Sequence, residues 1–248
     1  MAVEWPDTGF PRNITALTTT RDGGISLAAW RSFNLASHVG DLTGAVAGNR
    51  RILQATLPPG ARIAWLRQVH GTTVVDAAAG DGARADASVC HRPGVACAVL
   101  TADCLPVLLC DRDGSVVAAA HAGWRGLASG VLESTVAAMR RTPSQVTAWL
   151  GPCIGSTAFE VGPEVRDAFC AGVAAGHVAA VQACFKPSTR AGHFLADLQA
   201  LARQRLAALG VVHITADSRC TVSSAETFFS YRRDGETGRM VSLILVNS

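Results

Sequence analysis

AAAHAGWRG, residues 118–126, runs a string of alanines into a histidine and then directly into Gly, Trp, Arg and Gly. With the residues before them the alanines read as a buried strand, SVVAAAH (115–121), and the segment that follows, GLASGVLESTVAAMRR (126–141), has helical periodicity. A strand that ends on His121 and turns through glycine into a helix sets the pattern for the chain: apolar runs with chemistry at their ends. Working outward, ITALTTT (14–20), RIAWLRQV (62–69), TTVVDA (72–77), VACAVLT (95–101), LPVLLCD (105–111), VTAWL (146–150) and VVHITA (211–216) also read as strands.

Helices are expected over AVAGNRRILQAT (45–56), GPEVRDAFCAG (162–172) and HFLADLQALARQRLAALG (193–210). The last carries Leu195, Leu198, Leu201, Leu206 and Leu209 as a stripe, with Gly210 as its stop. Near the C-terminus, FFSYRRDGETGRMVSLILV places Asp234 and Gly235 between two strand-like runs, the pattern of a hairpin. Strands and helices mixed without strict alternation, and no repeat or linker between them, predict one α+β domain over residues 1–248 with mixed β-sheets flanked by helices.

The 49% hydrophobic content of 248 residues is ample for a core. A net charge of +3, with arginines in scattered singles and pairs, gives no basic stripe, so nucleic acid is not expected as a partner. MAVEWPDTGFPRN lacks the basic start and apolar run of a signal peptide, and no segment approaches the ~18 apolar residues of a membrane span; a cytoplasmic, membrane-free monomer is expected. Most of the eight cysteines sit in apolar segments and read as small buried hydrophobes rather than disulfide partners.

GDGARA (80–85) fits G-x-G-x-x-A, but DASVCHRPG follows where a dinucleotide loop needs a helix. No P-loop, G-x-S-x-G, H-E-x-x-H or C-x-x-C is present. What remains is three strand ends: RQVHG with His70, TADCLPV with Cys104, and AAAHAGWRG with His121. Singly, each histidine reads as an ordinary hydrogen-bonded residue. Together, two imidazoles and a thiolate compose a zinc shell with its fourth position left for water or substrate. The same residues also compose a metal-free hydrolase in which Cys104 is the nucleophile and His70 or His121 its base. Residue chemistry leaves both open.

The chain resembles the YfiH, or laccase-domain, family across nearly its whole length. The resemblance rests on TTTRDGGIS (18–26), SFNLASHVGD (32–41), NRR (49–51), RQVHG (67–71), LTADCLPVLLCD (100–111), HAGWRG (121–126), GPCIG (151–155), FEVGPEV (159–165) and FFSYRRDGETGR (228–239). It implies that His70, Cys104 and His121 bind zinc. It also implies phosphorolysis of adenosine, inosine, guanosine and methylthioadenosine to base and pentose 1-phosphate, together with adenosine deamination. Phe159 stands where the family often has Tyr, and Cys153 reads as a packing thiol rather than a fourth ligand. For that chemistry Asp103 is the candidate acid/base, Arg21 and Arg125 the candidate phosphate contacts, and Asn34 and His38 the candidate base or sugar contacts. The alternatives are a copper-dependent polyphenol oxidase, a Cys104-dependent amidase editing a peptidoglycan precursor, and a metal-binding module without catalysis. No H-x-H pair supports a multicopper centre, and a blue-copper site would want an axial Met, whereas Met139 falls in an expected helix and Met240 in the expected hairpin.

Overall fold

The computed structural model describes residues 2–171, 173 and 175–247. Two mixed sheets lie face to face. The first runs in the order Val3–Glu4, Ile14–Thr19, Met240–Val246, Val95–Thr101, Arg62–Ala64, with only the last pair parallel. The second runs His213–Ala216, Val146–Leu150, Leu105–Asp111, Val117–Ala122, Ala87–Cys90, Val74–Asp76, with a parallel pair at each edge.

The near-continuous apolar runs follow from covering both faces of the central strands. Val117 and Ala119 join Leu108, Cys110 and Trp149 of their own sheet, and Cys97, Val99 and Ile244 of the other, in one inter-sheet core. Ala118, Ala120 and Ala122 face the other way, into a core shared with Leu132 and Val136 of helix Val131–Met139 and Leu201 of helix Leu198–Leu209. The outer face of the first sheet, with Leu17, Ala98, Leu100 and Leu243, packs against Leu53 of helix Thr43–Gln54 and against Phe33 and Leu35. The result is the expected α+β arrangement, a two-sheet sandwich with helices on its outer faces.

Three expected elements are built differently. Residues 126–141 form two helices, Trp124–Ser129 and Val131–Met139, because Gly130 takes the left-handed conformation (φ 100°) between them. In 193–210 only Leu198–Leu209 is helical. Asp197 accepts the Ala200 N–H at 2.9 Å as its cap, and Phe194–Ala196 joins Glu160–Val161 and Phe185–Pro187 in a small sheet, which removes Leu195 from the stripe. The stop at Gly210 is left-handed, φ 92°.

The C-terminal hairpin does not form. Ser230 caps the short helix Tyr231–Asp234, and Arg233 ties it to the carbonyls of Thr221, Val222 and Phe228, so Met240–Val246 pairs with Ile14–Thr19 and Val95–Thr101 instead. Smaller shifts are of the usual kind at element ends: 62–69 splits into Arg62–Ala64 and Leu66–Arg67, 72–77 shortens to Val74–Asp76, and 211–216 to His213–Ala216. The helix expected over 162–172 is observed as Pro163–Cys170; Gly172 lies outside the described residues. No helix among the described residues is long and apolar enough to cross a membrane.

Candidate metal centre

The register of the second sheet collects the site. Ala122 pairs with Leu105, so Cys104 lies one step beyond the ladder, beside Gly123. Ala120 pairs with Ala87, so Asp86 lies opposite His121 and its carbonyl accepts the His121 N–H at 2.7 Å. His70 enters from the loop after Leu66–Arg67. The ligating atoms of His70, Cys104 and His121 all lie within 4.8 Å of one another, and among the described residues they are the one such group. Cys104 Sγ is 3.8 Å from His70 Nε2, and the two imidazoles meet edge to face with centroids 4.7 Å apart. His70 and Asp103 both hold positive φ (60° and 89°), local strain of the kind that gathers at functional sites.

One buried carboxylate organises two of the three. Asp86 accepts the backbone N–H groups of Val69 (3.1 Å), His70 (2.8 Å) and Gly71 (2.7 Å), and His121 Nδ1 donates to it at 2.9 Å. That bond leaves His121 Nε2 as the nitrogen free to ligate, the usual carboxylate–histidine arrangement behind a metal. Burial pushes the Asp86 carboxyl up, but His121 and these N–H groups more than offset it and hold it below the ordinary range. Burial likewise pushes the Cys104 thiol up, and the charge and hydrogen bonds of His121 and His70 bring it down to about 6. His121 is lowered by burial but raised by Cys104 and Asp86 to about 9. The site therefore favours the thiolate, the form a metal takes.

The space between these side chains is kept by Gly123. A Cβ there would sit 2.9 Å from His70 Cδ2 and 3.1 Å from Cys104 Sγ. Two imidazole nitrogens and a thiolate around such a gap fit a tetrahedral divalent ion whose remaining position is filled from outside the protein.

The cluster lines a cleft of ≈370 Å³ whose other walls include His38, Gln68, Tyr231 and Arg239. His70 and Cys104 also line an adjoining cleft of ≈280 Å³ that holds Trp124, Arg125, Phe159 and Arg232. Of the further candidates read from the sequence, His38 lines the first cleft and Arg125 and Asp103 line the second.

Asp103 lines the second cleft but both its oxygens are engaged, by the Thr221 hydroxyl (2.5 Å) and the Arg232 N–H (2.7 Å). Arg21 is outside both clefts: its guanidinium donates to the carbonyls of Ala225 (2.8 Å) and Arg31 (3.3 Å) and covers the Phe229 ring. Asn34 is fully buried, and its side-chain oxygen accepts the Arg239 N–H at 3.0 Å, so it supports a wall residue without lining the cleft. Cys153 is buried in the helix-side core, as a packing thiol should be. Met240 is buried as well, its sulfur accepting the Phe229 N–H at 3.1 Å.

Asp86, Gln68, Tyr231 and Arg239 were not singled out. Gln68 stands two residues before His70, but its amide is bound both ways to the Leu100 backbone at 2.7 and 2.9 Å, a pairing that spacing does not reveal.

Residues 15–247 match the family described as "Multi-copper polyphenol oxidoreductase laccase". A protein of Pseudomonas aeruginosa named as a purine nucleoside phosphorylase is 51% identical over 239 residues, 96% of each chain. The purine nucleoside phosphorylase YfiH of Escherichia coli is 49% identical over 243 residues, 97% of this chain and 96% of that one. Among solved structures, a Neisseria meningitidis protein superposes over 100% of both chains with a TM-score of 0.94 at 50% identity. YlmD of Geobacillus stearothermophilus does so with a TM-score of 0.83 at 31% identity, over 96% of this chain and 93% of that one. The site is thus built on a fold and sequence shared end to end with these proteins, and the chain belongs to the laccase-like YfiH family.

Proposed function

We propose that this chain is a zinc-dependent purine nucleoside phosphorylase that also deaminates adenosine. The observation that carries the proposal is the His70–Cys104–His121 group set in the wall of a cleft that also holds a guanidinium and a neutral imidazole. Relatives named as purine nucleoside phosphorylases support an enzyme of that kind. Zinc is favoured over copper because one His–Cys–His group, with no second group among the described residues, suits a single Lewis acid rather than a multicopper relay.

His70, Cys104 and His121 would hold the ion, with Asp86 fixing the ring of His121. When bound, zinc supplies positive charge and Lewis acidity at the cleft wall. Arg239, whose Nη1 donates to the Thr237 and Gly238 carbonyls, would offer phosphate oxygens its remaining guanidinium N–H groups, and Arg125 offers a second cation in the adjoining cleft. In phosphorolysis a phosphate oxygen bonds to the anomeric carbon while the bond from that carbon to the purine breaks, and the departing base takes a proton. That proton is balanced by the one hydrogen phosphate gives up; burial, then Arg239 and Arg50, hold His38 below its ordinary value, so it is neutral and would accept the phosphate's proton rather than be the source of the base's. In deamination a water oxygen bonds to the purine carbon bearing the amine and ammonia leaves. Asp103, with both oxygens engaged, fits better as the anchor of its turn than as the proton shuttle.

The test is chromatography of products when the zinc-loaded protein meets adenosine with and without phosphate, beside Cys104→Ala. Adenine only with phosphate, and inosine without it, both lost in the variant, is the expected result; untouched adenosine refutes the reading. A second reading, hydrolysis of an amide by Cys104 itself, is favoured by the thiol at about 6 beside two imidazoles. Chelation separates the two, since stripping zinc abolishes the first activity and releases the second.

A further inference from the structure

The cleft beside the metal centre continues past His38 and Gln68. Both side chains also line a further hollow of ≈530 Å³, whose other walls include Arg50, Trp65, Arg67 and Asp81. His38 and Gln68 therefore form a waist between two chambers, and Gln68 is rigid there because of its double bond to Leu100.

The distal chamber is built for an anion. The Arg50 guanidinium lies on the Trp65 ring, 3.9 Å from its centroid, and its Nε donates to the Leu35 carbonyl at 3.0 Å. These contacts fix the plane of the guanidinium while its terminal nitrogens take no acceptor among the described residues. Arg67 is exposed and its side chain has no hydrogen-bond acceptor or ion-pair partner among them. Arg67 is also the ladder partner of Arg84 in a parallel pair, which adds a third arginine on the same side. Asp81 is the one acid on the wall, and its Oδ1 accepts the Trp65 N–H at 3.3 Å. Gathering guanidiniums around one carboxylate costs repulsion that a bound anion would relieve. Arg50 and Arg239, one in each chamber, also help keep the His38 imidazole between them neutral, after burial itself.

We propose that the hollow of Arg50, Trp65 and Arg67 is a phosphate-ester subsite, and that the chain accepts nucleoside 5′-phosphates whose base and sugar occupy the metal cleft. This extends the purine nucleoside reading and rests on it. The phosphate meets Arg67 and the free edge of Arg50, in charge-assisted bonds that a bare nucleoside cannot make.

Titration calorimetry of the zinc-loaded full chain with inosine, inosine 5′-monophosphate and inorganic phosphate, each alone so that no ligand is turned over, tests it, on the native protein and on Arg67→Ala, with zinc content and melting temperature as checks on folding. The monophosphate is expected to bind roughly tenfold more tightly than inosine at low salt, an advantage that falls toward unity in Arg67→Ala and at high salt. Arg67→Glu is expected to invert the preference. Inosine binding with no gain for the monophosphate, or a gain untouched by either Arg67 variant, overturns the subsite and leaves the nucleoside reading standing. Arg67-dependent binding of inorganic phosphate with no gain for the ester also overturns it, as a site for the free ion. Failure of both nucleoside ligands to bind fully zinc-loaded protein overturns the nucleoside reading, and this proposal with it.

Discussion

Asp86→Asn is the substitution that most directly probes how the site is held. The carboxylate receives four donors from two elements, the N–H groups of residues 69 to 71 and the His121 imidazole. An amide of the same shape has one oxygen for these donors and turns an NH₂ toward the rest, so two buried donors are left facing a donor. Loss of a carboxylate behind a ligating histidine weakens metal binding by about 10–100-fold, which is about 1.4–2.7 kcal/mol at 1.36 kcal/mol per tenfold. His70 is displaced in the same step, because its backbone N–H is one of the four donors, so the upper end of that range is expected. Competition with a chelating indicator at pH 7 reads the zinc affinity, and the visible spectrum of the cobalt-loaded protein reads ligand geometry independently of activity. Zinc affinity within twofold of the native protein, with an unchanged cobalt spectrum, would refute the argument that Asp86 positions the ligands.

Three further outcomes follow from the same geometry. Gly123→Ala should abolish zinc binding while lowering the melting temperature little, because its Cβ meets the ends of His70 and Cys104 at 2.9 and 3.1 Å; tight zinc binding by the variant counts against the site. In metal-free protein, alkylation of Cys104 should rise with a midpoint near pH 6, where the thiolate forms, and zinc should block it; a midpoint above pH 8 shows that the imidazoles do not act on the thiol. Asp111 is pushed up by burial but held below the usual carboxylate range by Ser115, the Val116 N–H and Arg141. Its stabilisation is therefore present above the unfolded carboxyl value and lost as pH falls through the lower folded one. Asp111→Asn should cost about 1–3 kcal/mol at pH 7, narrowing at pH below about 4, and should leave zinc affinity untouched; denaturant melts at several pH values measure this.

Three of the strands were legible to the residue, while the one expected over 115–121 is observed as Val117–Ala122. Val95–Thr101, Leu105–Asp111 and Val146–Leu150 are almost wholly buried, so the sequence of each carries one nearly continuous apolar signal. Where the sequence misled, a local pattern met a tertiary tie. Phe194–Ala196 continues the apolar spacing of the helix after it, yet the Asp197 cap and the strands at 160–161 and 185–187 draw it into a sheet. Asp234 and Gly235 carry a turn signal, but the bonds of Arg233 to the carbonyls of Thr221, Val222 and Phe228 decide the segment.

The same division explains the site. His70, Cys104 and His121 stand out in the sequence because their chemistry is intrinsic and apolar runs lead up to or away from each of them, although His70 itself lies in the loop beyond Leu66–Arg67. Asp86 does not, because its role exists only once Ala87 is paired with Ala120. Arg21 misled in the opposite sense: flanked by Asp22 and two glycines it looks like an anion-binding turn, whereas its guanidinium joins carbonyls 10 and 204 residues away. His121 shares the parity of Val117 and Ala119, so the alternation that fills the inter-sheet core with small side chains also aims this imidazole at the end of that layer. There the core stops and the cleft begins. The buried edge supplies Asp86 and His121, which need a dry environment to fix a tautomer, and the open edge supplies His70 and the cleft mouth, which need access. The alanine run is therefore part of the site: Ala119 lets the two sheets meet, and Ala118 and Ala120 let the helices close on the other face, up to the point where a single larger, polar residue marks the boundary.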